Sequence, residues 1–196
     1  MNKKYENVMQ FKIALLDIKP QIWRRIQVPE NYSFWDLHCA IQDAMGWWDS
    51  HLHEFTDEQP YSRKRPNVTI GLPEENEHLH SKDIKIEPFF NEPKAKMYYL
   101  YDFGDSWRHE VVLEEILPRE TGKKYPLCLD GKRACPPEDC GGEGGYFRIL
   151  EIIKNPKDEE YKDTMRWLGG KYDPEDFDPK KVRFTDSQKR LKNLLY

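Results

Sequence analysis

Long apolar runs are missing from this chain of 196 residues. None approaches the length of about 20 residues that crosses a bilayer, so no membrane partner is expected. The early lysines, Lys3 and Lys4, are not followed by an apolar stretch, so the start does not read as a secretory signal. The expected location is the cytoplasm. An excess of one charge is missing as well: 31 Lys and Arg stand against 35 Asp and Glu, a net charge of -4. A dedicated nucleic-acid coat normally carries a strongly basic balance. Nucleic acid is therefore a partner that the net charge does not support. Cysteine is scarce, with four residues and no C-x-x-C pair, and a structural disulfide is not expected in a reducing cytosol. There is no Gly-x-x-x-x-Gly-Lys string, which excludes a P-loop. There is no His-x-x-Arg either, so the group that clamps phosphate in a tyrosine recombinase is not written here. No internal repeat or low-complexity tract is present.

Aromatic residues are plentiful, at 13%, and their burial offsets chain entropy. The length suits one domain with a sizeable core. Met9, Phe11, Ile13 and Leu15 alternate with Gln10, Lys12 and Ala14, which predicts a half-buried strand. Lys19-Pro20-Gln21 makes a turn, and Ile22, Ile26 and Val28 mark a partner strand with Arg24 on its apolar face. Ser33 with Asp36 approximates a capping box. Leu37, Ile41, Ala44 and Met45 then follow at helical spacing, and Gly46 stops the helix. The prediction is one amphipathic helix over residues 33–45.

Downstream, His51–Phe55 reads as a short strand, and Val68, Ile70 and Leu72 as one short edge strand. Lys96–Tyr101 and Trp107–Leu117 give the strongest hairpin signal, joined by residues 102–106. Gly104 is expected there in a left-handed conformation. Residues 118–145 read as loop. Helices are predicted over Tyr146–Ile153, Asp158–Leu168 and from Ser187. Adjacent strands joined by short turns imply an α+β fold: a mixed, mostly antiparallel sheet with helices packed on it, in a single domain. The domain is expected to fill residues 1–196, with a basic extension from about residue 183. Phe11, Ile13, Leu15, Ile22, Leu37, Ile41, Val111 and Leu113 are the expected core.

Four blocks stand out together: residues 20–25 (PQIWRR), Leu37-His38 to Met45-Gly46-Trp47, residues 101–109 (YDFGDSWRH) and residues 134–142 (ACPPEDCGG). With residues 167–170 (WLGG) and 173–177 (DPEDF), in this order, they resemble the plasmid pRi open-reading-frame-three-like family, from about Tyr5 to about Val182. The resemblance implies an α+β intracellular domain without an established biochemical activity. Some relatives are labelled transposon resolvases, and some carry an added DNA-binding domain.

The candidate chemistry lies on those blocks. On a strand His51 and His53 point the same way and could grip one ion or phosphate; the alternative is a pair of edge residues. Asp102 and Asp105 sit at the hairpin turn and His109 on its apolar face beside Trp107. A carboxylate could orient that histidine as a base, or all three could serve the turn and the core. Cys128, Cys135 and Cys140 could hold zinc or another divalent metal as thiolates, or be free buried thiols. Glu138 and Asp139 could cap a helix or complete a metal or base site with the histidines. Arg24, pointing inward, needs a carboxylate or an anionic ligand, with Asp102 or Glu138 the expected partner.

The catalytic candidates are therefore His53, Asp102, Asp105, His109 and Glu138, expected to converge on one pocket. The binding candidates are Arg24, His51, Trp107 and Asp139. The favoured function is a binding or interaction module. The alternatives are a metal-dependent hydrolase or nuclease and a DNA-associated accessory protein of mobile elements.

Overall fold

The computed structural model describes residues 5–72 and 79–194. Two strands, β1 (Asn7–Leu15) and β2 (Trp23–Pro29), form the first antiparallel pair. The helix α1 (Phe34–Met45) follows. Then come β3 (His53–Thr56), β4 (Thr69–Gly71), β5 (Leu79–His80), β6 (Lys96–Tyr101), β7 (Trp107–Pro118) and β8 (Leu127–Lys132). The chain closes with α2 (Gly142–Lys154), α3 (Tyr161–Trp167), a 3-10 turn at Pro179–Lys181 and α4 (Ser187–Leu194). The strands make one sheet of order β5-β4-β3-β6-β7-β1-β2-β8. Every pairing is antiparallel except β4 with β5. The fold is thus α+β, with a mixed and mostly antiparallel sheet in a single domain. Among the described residues, no helix is long and apolar enough to cross a membrane.

Local rules account for the parts that position the site. Ser33 and Asp36 form the capping box: the Asp36 amide donates to Ser33 Oγ at 3.2 Å, and the Ser33 amide to Asp36 Oδ2 at 2.8 Å. Such a cap stabilises a helix by about 1 kcal/mol. Gly46 ends α1 in the left-handed region, at φ 97°, which glycine enters without a Cβ penalty. α1 packs on β2 and β4. The register sets Ile13 opposite both Arg24 and Val111, and Phe11 opposite both Ile26 and Leu113. All eight expected core residues are buried in one cluster.

Several boundaries differ from the sequence reading. The stretch over 118–145 contains a strand, β8, which pairs with β2 at the sheet edge. Its residues, Leu-Cys-Leu-Asp-Gly-Lys, lack a clean alternation, so backbone pairing rather than a hydrophobic face defines it. α2 starts at Gly142, within the glycine run, and α3 starts at Tyr161. Pairing of β4 with β5 places Thr69–Gly71 inside the sheet and leaves β5 as the edge. Gly104 is not left-handed; the positive φ values at this turn belong to Asp102 (56°) and Ser106 (57°). Aspartate tolerates that region because its side chain bonds the local backbone, and Asp102 Oδ1 accepts from Gly104 N at 2.9 Å and Asp105 N at 3.2 Å.

The basic C-terminal stretch is not simply a solvated face. Arg190 of α4 donates to Asp43 at 2.6 Å and reaches Asp49 at 3.2 Å. Trp35 Nε1 donates to the Ser187 carbonyl at 2.8 Å, and Ser187 Oγ donates to Asp36 at 2.5 Å. These bonds hold α4 against the acidic side of α1.

Candidate functional site

Beyond Gly46 the chain leaves α1 with two tryptophans in opposite environments. Trp47 is buried, and its Nε1 donates to the Pro136 carbonyl at 3.0 Å. Its ring lies 5.0 Å from Tyr101 and 6.0 Å from Trp107. Trp48 is 79% exposed. Across from this pair Tyr172 donates its hydroxyl to the Cys135 carbonyl at 3.0 Å, and Trp167, at the end of α3, is 52% exposed. Trp47, Trp48, Trp167 and Tyr172 thereby wall a cleft of about 330 Å³ floored by Pro136 and Pro137. Trp47 and Tyr172 direct their polar atoms into the floor's backbone, so they present apolar ring surface to the cleft.

Glu138 and Asp139 line the same cleft. Tyr101 donates its hydroxyl to Glu138 Oε1 and accepts from the Ser50 amide at 3.0 Å. Burial raises the Glu138 carboxyl above its usual range, against the lowering effect of that Tyr101 bond. Asp139 meets His51: its Oδ1 lies 2.8 Å from His51 Nε2, and Asp102 Oδ2 lies 3.5 Å from the same nitrogen. His51 and Asp102 belong to a second hollow of about 380 Å³, which Asp49, Leu72 and Phe103 also line. The His51–Asp139 pair is thus the wall between the two hollows. Asp49, Asp102 and Asp139 all have left-handed backbone, at φ 63°, 56° and 55°. Such sparsely populated conformations persist where the surroundings enforce them and cluster at functional sites.

Asp105 ties the hairpin turn to this wall, because its Oδ2 accepts from the Gly141 amide at 3.1 Å. The turn, the residues before β3 and the 138–142 segment therefore bring His51, Asp102, Asp105, Glu138 and Asp139 to one place. Among the described residues, His51, Asp102 and Asp139 are the group with the chemistry and spacing of a metal centre, each offering one ligand atom within 4.8 Å of the others.

His53 and His109 lie elsewhere. β3 begins at His53, so His51 is outside the strand and the two rings do not share a face. His53 is buried and stacks on His38, ring centroids 3.5 Å apart, beside Trp35. His38 is wired in turn: Nε2 lies 2.7 Å from Asp49 Oδ1 and Nδ1 2.8 Å from the Tyr99 hydroxyl. Gln42 Nε2 donates to that hydroxyl at 2.9 Å. Gln42, Tyr99, His38 and Asp49 thus form one buried hydrogen-bonded chain beside His53. His109 is buried against Trp47 and Tyr99, with Nδ1 donating to the Tyr99 carbonyl at 3.2 Å. Trp107 is buried beside Trp47 rather than lining the cleft.

Arg24 is buried as expected, but no carboxylate meets it among the described residues. Its Nε donates to the Ala44 carbonyl at 2.8 Å, and one terminal nitrogen to the Trp23 and Lys132 carbonyls at 2.9 and 3.0 Å. The Phe177 ring covers the guanidinium at 3.7 Å. Three carbonyls and an aromatic face give a buried cation the acceptors that the carboxylate was expected to supply. Cys128, Cys135 and Cys140 are free thiols and do not form a metal-ligand group. Burial pushes the Cys128 thiol up to about 11 and the Cys140 thiol up to about 12, so both are protonated, weakly nucleophilic thiols at neutral pH.

The buried imidazoles give the protein a sensitivity to acid. Burial lowers His109 to about 4, and burial with His38 alongside lowers His53 well below 6.5. In the unfolded chain both take a proton near 6.5, so the unfolded state binds more protons as the pH falls. Their contribution to stability is complete above pH 6.5 and declines toward pH 4. Between those values the pH dependence of the unfolding free energy should report uptake of about two protons on unfolding. A denaturation midpoint that stays constant from pH 6.5 to 5 would show that these histidines titrate normally.

Sequence reasoning passed over Trp48, Trp167, Tyr172, Asp49 and His38. A signal existed for the first two: each stands two residues from a helix-stopping glycine, Gly46 or Gly169, at a helix end where packing partners are fewer.

Comparison with known proteins gives a consistent lineage. The model of the plasmid pRiA4b ORF-3-like proteins matches residues 7–181. The uncharacterized protein y4hQ of Sinorhizobium fredii is 32% identical over 192 residues, 96% of this chain and 92% of that one. A crystal structure of a protein of unknown function from Methanosarcina mazei Go1 has 48% identity and a TM-score of 0.82, and the similarity covers 92% of this chain and 100% of that one. The chain belongs to the plasmid pRiA4b ORF-3-like family.

Proposed function

We propose that this protein is a binding module whose ligand site is the cleft walled by Trp47, Trp48, Trp167 and Tyr172. One observation carries the reading: two tryptophans, 79% and 52% exposed, face the same concave surface. Single exposed hydrophobics are ordinary, but paired tryptophans on a cleft with a few convergent polar groups have the composition of ligand sites and binding hot spots. A library of small molecules screened by ligand-observed NMR tests it. Hits should bind wild type and lose at least about tenfold in affinity on Trp48→Ala/Trp167→Ala, since such anchors dominate binding energy. Hits that bind the double variant equally well would place the ligand elsewhere and defeat the reading.

A second reading, a metal-dependent hydrolase or nuclease, is favoured by the approach of His51, Asp102 and Asp139. One imidazole and two carboxylates suit Zn²⁺ or Mn²⁺. The competing role is an ion pair that joins the 139 segment to the hairpin turn. Titration with Mn²⁺ separates them: paramagnetic broadening confined to His51 and its neighbours favours a metal, and unchanged resonances favour the ion pair. A nucleic-acid role draws little support from the C-terminal basic stretch, where Arg190 is engaged by Asp43 and Asp49.

A further inference from the structure

We propose that the cleft takes an organic cation, an alkylated ammonium or guanidinium group, with Glu138 and Asp139 as its counter-charge and the rings of Trp48 and Trp167 as its walls. The inference rests on the binding reading and names the ligand class for the same cleft.

Charge is the first support. Two carboxylates line the cleft, and among the described residues no Lys, Arg or His does. His51 offsets Asp139 from the far side and also bears on Glu138, but it stands outside the cleft lining, so one basic group faces two acids. An anionic ligand would meet both acids with nothing on the cleft wall to neutralise it.

The second support is the state of Glu138 itself. Oε1 takes the Tyr101 hydroxyl and the Trp48 amide also bears on the carboxylate, while Oε2 makes no full hydrogen bond. A buried acceptor without a donor is costly. A neutral apolar ligand offers this carboxylate nothing, whereas any organic cation in the cleft supplies the opposite charge, and a protonated amine or guanidinium brings N–H donors to the side of Glu138 that lines the cleft. Burial raises this carboxyl, and a bound cation would act in the opposite direction.

The walls are the third support. Trp47 and Tyr172 donate their polar hydrogens to the cleft floor, so what faces inward is ring surface. Aromatic faces carry negative potential and attract cations, tryptophan most strongly. A volume near 330 Å³ accepts a small head group or one side chain rather than an extended polymer.

The test is a titration of the full chain with choline, with its neutral carbon isostere 3,3-dimethyl-1-butanol, and with Nα-acetyl-lysine methylamide. At least one cation is expected to bind about tenfold more tightly than the neutral isostere, combining ring and carboxylate attraction. Preference for the blocked lysine assigns the ligand to a side chain on another protein, and preference for choline to a free small amine. In Glu138→Gln the ratio of cation to isostere should collapse toward one, with the melting temperature as a check on folding. Asp139→Asn, which leaves the Tyr101–Glu138 contact intact, should also reduce the ratio and serves if the first variant does not fold. Equal binding of choline, the blocked lysine and the isostere would overturn the cation class while leaving the binding site. No binding by any of the three, together with no hits in the wider screen, would overturn both.

Discussion

Leu37→Ala is expected to destabilise the protein by about 2–5 kcal/mol, the range for emptying a buried leucine site. Leu37 is fully buried and belongs to the cluster that joins α1 to the sheet. Its neighbours there include Phe34, Ile41 and Phe55 in the same buried set. Aromatic rings from α1, β3 and the turn segment before β6 meet here: Phe34 packs on Phe55 at 5.0 Å and on Phe89 at 5.2 Å between ring centroids. Such a layer cannot easily collapse onto a lost side chain, because its rings are held from several directions. Ile41→Ala should cost a similar amount. Urea denaturation of both variants checks this, and midpoints close to wild type would mean that α1 does not carry the core.

Gly145→Ala is expected to cost about 3 kcal/mol, a severe case of overpacking. A Cβ at this position would stand 1.8 Å from the Cys140 carbonyl oxygen and 2.8 Å from its carbon. The obstacle is backbone, so a rotamer change cannot relieve it. The first turn of α2 closes tightly here, with Gly145 N donating to the Gly141 carbonyl at 3.2 Å. Relief requires the 138–142 segment to move, and that segment carries Glu138 and Asp139. Gly142 has a related constraint, since its Cβ would meet the Asp105 carbonyl oxygen at 2.7 Å. Gly145→Ala should therefore weaken cleft binding as well as stability. A variant within about 0.5 kcal/mol of wild type, the spread of ordinary surface changes, would contradict the close approach.

These two residues differ in how far the sequence reveals them. Leu37 sits in a helix whose start, face and stop are all local: Ser33 with Asp36, the 3.6 period, and Gly46. The β6–β7 hairpin is legible for the same reason, since alternation on both arms fixes the register that pairs Tyr101 with Trp107. Gly145 is different. It sits in a run of glycines that reads as loop, and only the packing shows that residues 142–145 open a helix. β8 was hidden because an edge strand can be defined by its partner's backbone.

The site shows the same division. Alternation along β2 correctly turns Arg24 inward, but nothing local foretells carbonyl partners in place of a carboxylate. His51 and His53 look equivalent in sequence. A strand that begins two residues later separates them, sending one ring to Asp139 and the other onto His38. Asp139 stands out in its Pro-Pro-Glu-Asp block, but Asp49 does not, because its role depends on where a left-handed turn aims it. The aromatic cleft joins three segments distant in sequence, so no window of residues contains it.

The account depends most on Trp48 and Trp167 sharing one ligand. The direct measurement is the set of indole N–H resonances in ¹H–¹⁵N spectra during titration with choline and the blocked lysine. Trp35 is an internal control, because its Nε1 is buried and bonded to the Ser187 carbonyl. The account predicts that the Trp48 and Trp167 resonances shift together along one binding curve while Trp35 stays fixed. Movement of Trp48 and Trp167 on separate curves, or of Trp35 alone, would contradict it.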